Sequence, residues 1–126
     1  MIRSLFIVAV VMLLMDAVWL SLQYNYNASI IKNVQKSVMK IRYIPAALVY
    51  LLMAFTVTYL AIVPSKSIQE SVQKGSLLGL AMYGVYDLTN LATFDAWTPR
   101  MAIQDIAWGT FLCSVTAGIG YKFKYK

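Results

Sequence analysis

The chain has 126 residues, of which 60% are apolar and 13% charged, with a net charge of +6, one cysteine and no histidine. A soluble domain is about half apolar and a quarter charged, and one this small cannot hide so much apolar surface. A soluble enzyme, a disordered chain and a disulfide scaffold are therefore excluded, the lack of histidine removes the commonest general base and metal ligand, and the positive charge points to anionic lipid headgroups, with no nucleic-acid-binding motif in view.

A span needs about 20 mostly apolar residues, and four stretches qualify. The first covers about residues 5–24, with an unbroken apolar run from Leu5 to Met15. Arg3 ahead of that run gives it the look of a signal peptide, but Asp16 interrupts it and no small-x-small cleavage site follows before Gln23. A retained helix is expected. About residues 29–42 form a basic amphipathic segment. Ile30, Val34, Val38 and Ile41 recur at helical spacing, with Lys32, Lys36 and Lys40 on another face. Such a helix lies flat in the headgroup layer.

The second span covers about residues 43–63 and ends at Pro64. A polar connection with Lys66, Glu70 and Lys74 leads to the third span, about residues 75–94. Thr98 and Pro99 then read as the N-cap and first position of the fourth, about residues 101–121. The tail from Tyr121 to Lys126 alternates aromatic residues with lysine, as an interfacial anchor does. The expected fold is a single all-α membrane domain, a four-helix bundle plus the interfacial helix. Sidedness stays open. One side would hold Arg3, Lys66, Lys74, Lys122, Lys124 and Lys126, the other Lys32, Lys36, Lys40, Arg42 and Arg100, and six against five does not decide the positive-inside rule.

Acidic residues carry the functional interest. Asp16, Asp87 and Asp105 fall inside expected spans, where ionisable groups are costly and face the bundle interior. Counted along antiparallel helices, the three lie within roughly 10 Å of one depth, with Asp95 and Arg100 at that same end and Asn90 one turn from Asp87. Gly75, Gly79, Tyr83 and Asp87 form one stripe at four-residue spacing, and Asp105, Gly109, Cys113 and Ala117 form another. Small residues in register let helices approach closely, which would bring Asp87 near Asp105 or Gly109. Trp19 and Trp108 each follow an aspartate by three residues, and Trp97 is close by. As an interfacial belt they are structural; as a wall beside carboxylates they suit a cationic ligand.

These residues resemble a known family. The run Tyr83-Gly84-Val85-Tyr86-Asp87-Leu88-Thr89-Asn90-Leu91-Ala92-Thr93, followed by Trp97 and by Asp105-Ile106-Ala107-Trp108-Gly109, is similar to the membrane family known as domain of unknown function 2177. Asp16-Ala17-Val18-Trp19-Leu20, Pro45-Ala46-Ala47 with Tyr50, and Val63-Pro64 extend the likeness over essentially the whole chain. Ser21 departs from the glycine expected after Trp-Leu. The resemblance implies a small four-helix membrane protein and brings no catalytic residues with it.

Three functions are then open. In a structural role, the aspartates accept hydrogen bonds from indole, tyrosine, Thr89 and Asn90, or pair with Arg100; like charges at close range leave some of them protonated. In a binding or transport role, Asp16, Asp87 and Asp105 hold a proton, a metal cation or an organic amine, with Trp19, Tyr83, Tyr86, Asn90 and Trp108 completing the site. Carriage across the membrane would call for a homo-oligomer. A lipid-modifying enzyme needs two aspartates split into acid and base, but no nucleophile–base pair, metal triad or phosphate cradle is visible. No cofactor or dedicated metal site is expected, and no catalytic residue can be assigned.

Overall fold

A computed structural model describes residues 2–124. It is all-α: α1 (Ile2–Gln35), α2 (Tyr43–Val57), α3 (Ile68–Thr93) and α4 (Pro99–Lys122), with a π-helical turn, Thr58–Ile62, extending α2. Tyr125 and Lys126 of the expected anchor lie outside the described residues.

The separate amphipathic helix is not there. No glycine or proline interrupts residues 2–35, so α1 continues through the basic stretch for 34 residues, about 51 Å at 1.5 Å per residue. It stops at Lys36, whose φ of 62° is left-handed and whose N–H bonds the Lys32 carbonyl at 2.8 Å. Ile30 and Val34 pack on Trp97, Met101 and Ala102, whereas Val38 and Ile41 are exposed on the irregular segment that follows. Helical spacing of apolar residues thus ran past the true helix end.

Pro45 stands in the first turn of α2, where its missing N–H costs nothing. At the far end Val63 N–H reaches back five residues to the Thr58 carbonyl, the mark of a π turn. Lys124 Nζ donates to the Val63 and Ser65 carbonyls at 2.9 and 2.7 Å, supplying cationic donors where the helix has unpaired acceptors. α3 starts seven residues earlier than the hydropathy suggests. Ser67 caps it by accepting from Glu70 N–H at 3.1 Å, and the Glu70 carboxylate accepts from Lys66 N–H at 2.9 Å. The expected polar connection is therefore the first two turns of a helix. Thr98 caps α4, accepting from Met101 N–H at 3.2 Å, with Pro99 at the first position.

α3 and α4 form the broadest interface, antiparallel and glycine-lined. A Cβ at Gly75 would meet Ala117 Cβ at 2.6 Å; one at Gly79 would strike the Gly109 backbone, and one at Gly109 the Tyr83 ring. Ser71 Oγ donates to the Ala117 carbonyl at 3.1 Å across the same seam. The buried face of α1 is a stripe at four-residue intervals, Ser4, Val8, Met12 and Asp16. Val8 and Met12 join Met53, Ala54, Val57, Leu112 and Cys113 in the core.

Two helices, Ile2–Gln35 and Tyr43–Ile62, are long and apolar enough to cross a membrane. α3 and α4 fall short of that measure because their contact stripes spend positions on glycine, serine and aspartate.

Candidate functional site

The sequence placed three aspartates in one cluster; in the structure Asp16 and Asp105 border one cleft, and Asp87 neighbours Asp105 off its lining. Asp16 is a hub of helix packing. Trp108 donates its indole N–H to Asp16 Oδ1 at 2.6 Å, and Tyr50 donates its hydroxyl to Oδ2. One buried carboxyl thereby ties α1 to α4 and to α2. Sequence reasoning gave the aspartates indole and tyrosine donors without assigning them; Tyr50, named there only within the family likeness, is the tyrosine that reaches Asp16.

Asp87 and Asp105 are the second group. The register that sets Gly75 on Ala117 and Tyr83 on Gly109 sets Asp87 on Asp105, each step being one helical turn. The two carboxyl groups lie within hydrogen-bonding reach of each other. Asp87 is fully buried, and neither of its oxygens receives a well-formed hydrogen bond. Its other polar neighbour is the indole of Trp97, itself buried and without a well-formed acceptor. Among the described residues no ion pair reaches Asp16, Asp87 or Asp105. Two unit charges about 4 Å apart repel by about 4 kcal/mol at an effective dielectric of about 20, so a second ionisation here is costly.

Between the two groups lies a cleft of about 390 Å³. Asp16, Trp19, Tyr50, Tyr83, Tyr86, Asp105 and Trp108 line it, with Leu20, Val49, Met53 and Met82 completing an apolar floor. Trp19 and Trp108 stack with ring centroids 4.8 Å apart and planes 5° from parallel. Phe111, exposed and off the cleft lining, lies 5.8 Å from Trp108. Trp19 and Trp108 are half-buried and border the cleft, whereas Trp97 is 5% exposed and meets Tyr86 edge-on at 5.8 Å. Asp105 is half-buried and faces the cleft, whereas Asp87 lies behind it and does not line the space.

Asn90 does not line the cleft either. Its side chain approaches the Tyr86 hydroxyl, one turn back on α3. Arg100 is not the counter-ion of an aspartate. Its guanidinium sits over the Tyr26 ring, 4.1 Å from the centroid, and the Tyr26 hydroxyl pairs with Thr98 Oγ1 at 2.5 Å. The reach of α1 beyond residue 24 makes this contact possible, and it roofs the end of the bundle where Asp87 and Trp97 are buried. Asp95 is exposed on the outer side of that roof. Among the described residues no group of three His, Cys, Asp or Glu side chains is placed to hold a metal ion.

The geometry can therefore do one thing plainly. It brings aromatic side chains and a carboxyl group to the border of the same small space, and among the described residues no lysine or arginine forms an ion pair with that carboxyl. No curated protein and no solved structure gives a match to the chain. Residues 1–122 match the family described as predicted membrane protein (DUF2177), and the chain belongs to that family.

Proposed function

We propose that this is a multi-pass membrane protein, crossing the bilayer with all four helices, whose cleft binds a small monovalent organic cation such as an ammonium group. One observation carries the reading: the stacked Trp19–Trp108 wall and Asp105 share a cleft of about 390 Å³, and among the described residues no lysine or arginine pairs with the acid. A desolvated cation over an aromatic face gains about 2 kcal/mol, and a carboxylate beside it adds charge complementarity. Asp16 has a structural role instead, since both of its oxygens are taken by Trp108 and Tyr50.

The packing supports four spans. α3 and α4 have 26 and 24 residues, long enough to cross a hydrocarbon core about 30 Å thick. They pack as lipid-embedded helices do, small residue against small residue. α1 is about 20 Å longer than that core. Its protruding end places Lys32 beside Lys36, Lys40, Arg42 and Arg100 of neighbouring segments, exposed at one end of the bundle, which suits anionic headgroups. Carriage of the cation across the membrane would require a second copy; binding does not.

Titration of the purified protein with tetraethylammonium, followed by tryptophan fluorescence, tests the reading. Saturable quenching or blue-shift that is lost in Asp105→Asn is expected. A wild-type signal that does not saturate would remove the ligand.

A further inference from the structure

Resting on the cleft reading above, we propose that Asp87 carries the proton of the Asp87–Asp105 pair and donates it in a hydrogen bond to Asp105, leaving Asp105 as the carboxylate that faces the cleft. Asp87 is then a positioning residue. It never touches the ligand and sets the charge of the group that does.

The assignment rests on placement. Asp87 is 0% exposed, so as an anion it would need strong compensation from the protein. None is supplied. Neither oxygen receives a well-formed hydrogen bond, and among the described residues no cation pairs with it. The groups around the pair are accounted for on every element. α1 presents Asp16, α2 presents Tyr50 already bonded to Asp16, α3 presents Tyr83 and Tyr86, and the connection to α4 presents the Trp97 indole. All are neutral or acidic, and Arg100 is turned to Tyr26. A protonated Asp87 changes the picture at once. Its hydroxyl has an acceptor in Asp105, within reach across the glycine-lined seam. The negative charge then resides on the half-buried member, which borders the cleft and has access to a ligand or to water. The reverse assignment would leave the charge on the enclosed member and the proton on the accessible one.

The consequence is a pair of defined valence. The pair presents one negative charge and one donor, in place of two charges. A monovalent ammonium neutralises the pair without displacing any proton. Binding should therefore proceed with no net proton release.

Infrared spectroscopy of the full chain in lipid vesicles at neutral pH, run beside tetraethylammonium titrations, tests this. The wild type should show the carbonyl band of a protonated carboxyl, and Asp87→Asn should lose it. The asparagine N–H still donates to Asp105, so Asp87→Asn should keep tetraethylammonium binding within about threefold. Asp87→Leu removes the donor. It should weaken binding about tenfold at neutral pH and recover as the pH is raised, a profile that a purely structural role would not produce. Absence of the band from the wild type, which needs no variant to fold, would overturn the proposal. So would its survival in Asp87→Asn. A band that obeys these rules in a protein that binds no tetraethylammonium would support the proton assignment and count only against the cleft reading.

Discussion

Trp108 donates to Asp16 at 2.6 Å across 92 residues of sequence, and the same indole stacks on Trp19 one turn further along α1. The carboxyl thus fixes the ring that forms the cleft wall. Packing and the proposed ligand recognition are joined at one side chain. Asp16→Ala would leave two donors, Trp108 Nε1 and Tyr50 Oη, without their acceptor. Buried orphan donors cost about 1–3 kcal/mol each in water-soluble proteins, and membrane measurements average about 0.6 kcal/mol per bond. We expect a loss of about 1–3 kcal/mol, read as thermal melting in mild detergent. A double-mutant cycle with Trp108→Phe should return a coupling near 1 kcal/mol, and zero coupling would mean the bond contributes nothing.

The glycine seam predicts a contrast. Gly79→Ala drives a methyl into the Gly109 backbone, and Gly109→Ala drives one into the Tyr83 ring. Both should destabilise by about 1–3 kcal/mol, the range for overpacking. Gly84 lies on the same helix as Gly79, and a methyl added there would have nothing within 4 Å. Gly84→Ala should be neutral or stabilising by up to about 1 kcal/mol, from helix propensity alone. Equal melting temperatures for the three variants would show that the seam is not tightly packed.

Glu70 lies at the start of α3, outside the apolar core. Its carboxyl is held below the ordinary value, first by the Lys66 backbone N–H, then by Lys74 at 2.9 Å. A group depressed on folding contributes stability above its unfolded value, about 4.3, and loses that contribution as the pH falls through the lower folded value. Glu70→Gln should therefore lower the melting temperature slightly at pH 7 and leave it unchanged at pH 3. A difference that grows on acidification would carry the wrong sign.

The proposed four spans would fix which connections share a side. In a Cys113→Ser background, Lys36→Cys and Asp95→Cys should react with an impermeant maleimide from one face of sealed vesicles, and Lys66→Cys from the other. Labelling of Asp95→Cys and Lys66→Cys from the same face would mean that α3 does not cross.

The sequence made some of this legible and hid the rest. The Thr98–Pro99 cap and the glycine stripes are local signals, and both stand where the residues implied. The continuation of α1 was hidden because amphipathic spacing on residues 29–42 looks the same whether a helix is separate or continuous. What decides it is the absence of a breaker between Tyr24 and Gln35 and the docking of Ile30 on Trp97 and Met101. The start of α3 was masked because Ser67 to Lys74 is polar, and hydropathy cannot see a capped helical turn. Depth counting put Asp16, Asp87 and Asp105 at one level but could not give their azimuth about each helix. That angle is what sends Asp16 to Tyr50 and Trp108 and Asp87 to Asp105.

The central claim is that Asp105 and the tryptophan wall receive a monovalent organic cation. Calorimetric titration of the full chain in nanodiscs with tetraethylammonium tests it most directly, comparing wild type with Asp105→Asn and Trp19→Ala. We predict saturable one-to-one binding, weakened at least tenfold by Asp105→Asn and about threefold to tenfold by Trp19→Ala. Saturable binding that is unchanged in Asp105→Asn, or no binding by a folded wild type, would contradict the account.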